Sequence, residues 1–276
     1  VVKVVRYFIT IFIISLLALN THSVWAAKLV IVIDDFGYRQ HNEEQVISLS
    51  PNINVAVLPN SPHARRIANR AHDHGNDVII HLPMAPLGKQ PLEKDTLFPS
   101  MSEAEVNRIV TNAIEQVPHA IGVNNHMGSL MTSNLTGMAH VMKALSHYSI
   151  FFLDSKTIGK TQIKKAASYY NILVLTRDVF LDDEQKESAI SQQFDLAVKL
   201  ARKNGVAIAI GHPHPQTINV LRTKLANLPE DIELTKLSHL ITTIPAPARH
   251  KTTLKDIFEK CKKQIEELSN YKTLDE

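Results

Sequence analysis

The chain has 276 residues, of which 44% are hydrophobic, and carries 30 Lys and Arg against 27 Asp and Glu. Two of the basic residues, Lys3 and Arg6, lie in an apolar N-terminal segment, so the remainder is close to charge balance, which argues against a nucleic-acid binder with its basic face. One cysteine, Cys261, excludes an internal disulfide framework, so the fold must rest on its apolar core.

The first 26 residues read as a leader. Lys3 and Arg6 precede a Tyr7–Leu19 run that is apolar apart from Thr10 and Ser15, and Val24-Trp25-Ala26 supplies the small residues of a cleavage site. The run is shorter than the roughly 18 residues of a membrane span. Cleavage after Ala26, a periplasmic address and no stable membrane insertion are therefore expected; an uncleaved anchor is the alternative. About 250 residues remain, a normal size for one α/β barrel.

From there strand-like and helix-like stretches alternate. Strands are predicted at 29–33, 53–58, 77–81, 120–125, 150–154, 172–175, 206–210 and, weakly, 231–234. Helical patterns fall at 41–49, 61–74, 102–116, 134–147, 161–170, 185–204 and 215–227, with Ser102 and Asn134 as N-caps and Gly205 as a C-terminal stop. The alternation implies a parallel sheet with right-handed crossovers, and about seven units without a dinucleotide fingerprint favour a barrel that is closed or nearly so. Pro83–Pro99 is the longest connection without a pattern and is suspected as a substrate loop. The barrel domain is taken as 27–245. Beyond Pro245-Ala246-Pro247, a tail at 246–276 includes an amphipathic helix at 252–268.

The polar residues collect where strands end. Leu29–Ile33 runs into Asp34-Asp35-Phe36-Gly37, the third strand into His81, the fourth into Asn124-Asn125-His126-Met127-Gly128-Ser129, the fifth into Asp154-Ser155, the sixth into Arg177-Asp178, and the seventh into Gly211-His212-Pro213-His214. In a parallel barrel those ends share one rim. Each has a bland reading as well. Asp34-Asp35 can cap a turn, Asn124-Asn125 suits a turn, Asp154 can cap a helix, Arg177-Asp178 can be a self-contained ion pair, and His72 and His74 read as surface residues. Six such coincidences on one rim favour the joint reading. Two histidines with one carboxylate suit Zn²⁺ or another divalent transition metal, a neighbouring carboxylate can serve as base, and a histidine across the site as acid.

These residues resemble a known family. Ile33-Asp34-Asp35-Phe36-Gly37 is similar to the strand-one motif of polysaccharide deacetylases. His74–Asp77 running into His81 is similar to their second motif, and Leu153-Asp154 and Ile210-Gly211-His212 to their later ones. Taken whole, with His81-Leu82-Pro83-Met84 and Gly211-His212-Pro213-His214-Pro215, residues 28–240 resemble the divergent polysaccharide deacetylases of bacterial envelopes. The resemblance implies a distorted (β/α) barrel and a metal-dependent hydrolase that removes acetyl groups from an envelope glycan or peptidoglycan-type substrate. It makes Asp34 the catalytic base, Asp35 and His81 metal ligands, and His212 the acid. The usual second motif has two histidines four residues apart, but Ala85 follows His81 at that spacing, and the arginine-bearing third motif is absent. From convergence of strand ends, His126 is inferred to be the third ligand. Asn125, Ser129, Asp154, Arg177, Asp178 and His214 are expected to bind substrate or support these groups, whereas Asp182 and Asp183, in the loop after the sixth strand, read more often as solvated loop acids than as residues reaching substrate. The alternative is a weak or inactive glycan-binding envelope protein that keeps the barrel and metal site. A phosphoesterase is disfavoured, because no Lys and Arg cluster accompanies the strand ends.

Overall fold

A computed structural model describes residues 26–243. The expected leader and the 252–268 helix lie outside the described residues. Among the described residues, no helix is long and apolar enough to cross a membrane.

The elements run β1 (Ala27–Phe36), α1 (Gln40–Ile47), β2 (Asn54–Val57), α2 (Ala64–His74), β3 (Asp77–Met84), α3 (Glu103–Gln116), β4 (Ala120–Met127), α4 (Ser129–Thr132) and α5 (Leu135–Leu145). They continue with β5 (Phe151–Asp154), α6 (Ile163–Ser168), β6 (Val174–Thr176), β7 (Val179–Phe180), α7 (Glu187–Asn204), β8 (Val206–Gly211), α8 (Pro215–Ala226), β9 (Ile232–Leu234) and α9 (Leu237–Thr243). The helix termini follow their local chemistry. Ser102 Oγ accepts from Glu105 N, Asn134 Oδ1 accepts from Gly137 N at 2.8 Å, and Gly205 ends α7 at φ 81°.

All pairings are parallel, in the order β6-β5-β4-β3-β2-β1-β8-β7, with β9 also beside β1. Leu29–Ile33 of β1 are fully buried, as a strand covered on both faces requires. The two ends of this order are joined by one stretch of chain. β6 pairs with β5 and β7 with β8. Between them Arg177 N donates to Asp154 O at 3.0 Å and Asp178 N to Ile208 O at 2.8 Å. A single broken strand thus changes partners halfway and completes the distorted barrel. The two-residue β7 carries no periodicity, which is why the sequence does not announce it.

Side-chain parity divides the core. Outward-facing residues of the strands pack under the helices, while Val30, Val32, Ala56, Ile79, Phe151, Leu153, Leu175, Ile208 and Ile210 fill the interior. Gly122 is needed there, because a Cβ at that position would stand 2.4 Å from the Phe151 ring. Leu237 and Leu240 of α9 join the same interior cluster. Their helix is tied in place by Asn54 Oδ1, which accepts from Leu237 N at 2.8 Å, and by Asp77, whose two oxygens accept from Ser238 N at 2.6 Å and Ser238 Oγ at 3.0 Å. Leu237 and Leu240 thus pack against the apolar interior of the barrel.

The 83–99 stretch is less irregular than its sequence suggests. β3 continues through Pro83 to Met84, and Leu97 returns to pair beside it, with Ala85 N donating to Leu97 O and Leu97 N to Pro83 O, each at 2.9 Å.

Candidate metal centre and its cleft

Continuing the inward parity of each strand by one step leads from Val32 to Asp34, from Ile79 to His81 and from Ile210 to His212. The polar layer of the site therefore rests directly on the apolar interior. Asp35 should face the opposite way from Asp34, but β1 carries an irregularity between Ile33 and Phe36, and Asp35 sits in the left-handed region at φ 59°. The extra residue turns both carboxylates toward the site, and aspartate is among the few side chains that tolerate this backbone. The following turn is held by Glu43, fully buried, whose Oε1 accepts from the amides of Gly37 (2.9 Å), Tyr38 (2.9 Å) and Arg39 (2.6 Å). Gly37, at φ 120°, has no room for a Cβ beside Ser61.

Three donor atoms from three strands meet. Asp35 Oδ1 is 3.2 Å from His81 Nε2 and 3.1 Å from His126 Nδ1, and the two ring nitrogens are 3.0 Å apart. Asp35 Oδ1 is buried yet accepts no hydrogen bond, although two ring nitrogens lie so close to it. Ligand atoms about 2.1 Å from a shared ion would be separated by about 3.0 Å in octahedral and about 3.4 Å in tetrahedral geometry. The observed spacing and the orphaned oxygen both fit a divalent cation, and the donor set of two imidazoles and one carboxylate leaves positions free for water and substrate. Burial works against charge on Asp35, yet the close rings of His126 and His81 hold its carboxyl well below the usual range.

Behind this trio lies a relay that sequence reading missed. Asn124 Oδ1 is 2.8 Å from His81 Nδ1, and Asn124 Nδ2 donates to Asp34 Oδ1 at 2.8 Å. An amide oxygen can only accept, so His81 carries its proton on Nδ1 and presents the Nε2 lone pair to the centre. Asn124 therefore fixes a ligand's tautomer and an aspartate's orientation at once. Asp34 is only 3% exposed and lies beneath the cleft rather than on its wall. Burial raises its proton affinity, against the lowering effect of His81 and His212.

His212 stands across the trio, with Nε2 3.9 Å from Asp35 Oδ2. Asp182, expected as a solvated acid, is instead buried beneath it. Its Oδ1 lies 3.0 Å from His212 Nδ1, and its Oδ2 accepts from His212 N at 2.6 Å and from Thr217 Oγ1 at 2.7 Å. Burial would lower the His212 pKa, but the Asp182 contact outweighs it and raises the value to about 9. At neutral pH the ring is a proton donor held in one orientation.

The remaining expected residues spread out. His214 occupies the N-cap position of α8 without a side-chain capping bond and lines the cleft, between Arg39 and Gln185. Arg177 donates through Nε to Ser155 O at 2.7 Å and lies over the Phe180 ring. It makes no pair with Asp178, whose Oδ2 accepts from Ile208 N at 2.8 Å and secures β7 to β8. Asn125 faces away from Asn124: its side chain accepts from Ser155 N and donates to Met127 O. Asp154 is buried and accepts from Lys156 N at 2.8 Å. Ser129 Oγ accepts from Leu87 N at 2.9 Å, fastening the loop after β3. His72 stacks on His119, away from the centre. The cleft above the trio has a volume of about 380 Å³, within the range of small-ligand sites, and is bounded by Tyr38, Arg39, Leu58, Glu93, Pro213 and His214.

Comparison with known proteins identifies the family and the fold. A family model described as divergent polysaccharide deacetylase matches residues 31–241. The chain is 58% identical to the uncharacterized protein YibQ of Escherichia coli (strain K12) over 227 residues, 82% of this chain and 71% of that one. Among solved structures it is similar to an uncharacterized protein from Agrobacterium tumefaciens C58, with TM-score 0.72, 20% identity, and coverage of 78% of this chain and 89% of that one. It is also similar to a mutant of a CE4 family pseudoenzyme with restored enzymatic activity, with TM-score 0.50, 13% identity, and coverage of 78% and 68%. At those identities the two structures speak to the fold alone.

Proposed function

The chain belongs to the divergent polysaccharide deacetylase family, and we propose that it is a metal-dependent hydrolase that removes acetyl groups from an envelope glycan. The observation that carries this reading is the meeting of Asp35 Oδ1, His81 Nε2 and His126 Nδ1 within 3.2 Å of one another. A divalent cation bound there, with Zn²⁺ favoured by the ligand set, would polarise an acetyl carbonyl and acidify a water. The protein's own groups then divide the proton work. Asp34, whose burial raises its proton affinity, accepts the proton of the attacking water. His212, protonated at neutral pH and steadied by Asp182, gives a proton to the departing amine or alkoxide. Asn124 keeps Asp34 and His81 in register. The leader expected in the first 26 residues supports a periplasmic site of action.

The test is acetate release from chitooligosaccharides and peptidoglycan fragments by the metal-loaded protein, with metal content measured alongside. Release that is lost in Asp34→Asn is expected; no release with metal bound removes the esterase claim. One observation favours a second reading. Asp34 is 3% exposed and one of its oxygens already accepts from Asn124, which leaves it poorly placed to receive a proton from water. A catalytically weak glycan-binding protein would bind sugar without turnover and without response to chelators in calorimetry.

A further inference from the structure

Charge is nearly balanced over the chain but not around the barrel. From Gln116 to Arg177 the sequence has six Lys and Arg and a single acid, Asp154, which is buried. Lys143 pairs with Glu103 of α3 at 2.7 Å, and Arg177 donates to the carbonyls of Ser155 and Lys156. Lys156, Lys160, Lys164 and Lys165 remain, all exposed, and none makes an ion pair among the described residues. They occupy the loop after β5 and the first turn of α6, a shoulder of which only Lys156 lies at a strand end. The helix packed against α6, α5, holds no acid. On the β7 side the Asp178 carboxylate accepts from Ile208 N and Glu184 pairs with Lys186, so Asp183 is the acid that bounds the patch. The backbone beneath the lysines is fixed, because Lys156 N donates to Asp154 Oδ1 at 2.8 Å and Gln162 N to Thr132 O at 2.7 Å. At the far end of α6 the Tyr169 ring is 43% exposed, four positions from Lys165 and so on the same face.

We propose that this shoulder docks the protein on an anionic phospholipid surface, with the four lysines among the headgroups and the Tyr169 ring at the interface. The docking is peripheral and needs no spanning segment. Lysine suits a plane of mobile single charges, where the arginine fork would select one fixed planar anion. An aromatic ring with a polar tip belongs at the level of the headgroups. The leader expected in the first 26 residues supports a compartment bounded by lipid rather than one that holds nucleic acid. Because Lys156 lies two residues past the end of β5, the docked barrel holds its mouth beside the membrane. The proposal is independent of the metal centre.

Vesicle sedimentation of the full-length protein tests it, comparing phosphatidylcholine with phosphatidylcholine containing one third phosphatidylglycerol. The neutral vesicles give the background from the apolar leader. Tighter binding to the anionic vesicles is expected, lost as salt is raised. Each lysine near such a surface contributes about fivefold, so Lys164→Gln/Lys165→Gln should weaken the anionic binding about 25-fold, and Lys164→Arg/Lys165→Arg should retain it. Lys199→Gln/Lys203→Gln removes the same charge from an exposed face of α7 and should leave the binding unchanged. Tyr169→Ser should weaken it severalfold with its salt dependence intact. Equal binding to both kinds of vesicle, no loss in the Lys164/Lys165 glutamine variant or an equal loss in the α7 variant, unchanged affinity in Tyr169→Ser, or equally tight binding to soluble polyphosphate or duplex DNA overturns the proposal.

Discussion

Replacing Asn124 with alanine should be the most damaging single change that leaves every expected ligand in place. The substitution strands two buried groups, the Nδ1–H of His81 and Oδ1 of Asp34, each of which has Asn124 as its 2.8 Å partner. An unsatisfied buried polar group costs about 1–3 kcal/mol, so the pair amounts to roughly 2–6 kcal/mol. For a domain of this size that corresponds to a fall in Tm of about 4–24 °C. His81 would also lose the acceptor that selects its tautomer, and loss of such outer partners typically weakens metal binding about 10- to 100-fold. Urea denaturation of the metal-free protein reads the first effect, and competition with a zinc chelator reads the second. A destabilisation below about 1 kcal/mol with unchanged metal affinity would refute the relay, because the threshold lies under the cost of one stranded group.

Three further outcomes are expected. Gly122→Ala should lower stability by about 1–3 kcal/mol in urea melts through overpacking against Phe151. Zn²⁺ at a hundred times its Kd should stabilise the protein by about 2.7 kcal/mol in thermal melts, and His126→Ala should abolish that gain. In the metal-free protein, NMR titration should find the His212 imidazole ionising near pH 9 and displaced downward in Asp182→Asn. Because the folded value lies above the ordinary one, the stability His212 contributes is full below about pH 6.5 and lost as pH rises through about 9.

Much of this architecture is legible in the sequence because buried parallel strands are written as plain apolar runs. Leu29–Ile33 and Val206–Ile210 need no context to be recognised, and once they are placed in a barrel, Asp34, His81 and His212 fall on one rim by counting. Other features depend on distances along the sheet that no local pattern contains. Asn124 reads as a turn former because it opens an Asn-Asn pair at a strand end, and only its register opposite His81 makes it a strand residue with two partners. Asp182 reads as a loop acid because Asp183-Glu184-Gln185 follow it, and only the packing of the chain from the end of β8 into α8 places His212 and Thr217 around it. The bulge at Asp35 is hidden for a different reason. Consecutive acids look alike in sequence, and nothing local tells whether the chain will turn the second to the same side as the first.

The α9 stopper has a consequence for how the chain must come together. The interior faces of the strands are covered from below by Leu237 and Leu240, which lie near the end of the described chain, some two hundred positions after β1 begins. A chain emerging from its N-terminus therefore lays down its staves before the cork exists, and their inward aliphatic surface stays wet until Asn54 and Asp77 can receive the amides of Leu237 and Ser238. Cutting the protein just ahead of Leu237 would leave a bottomless vessel.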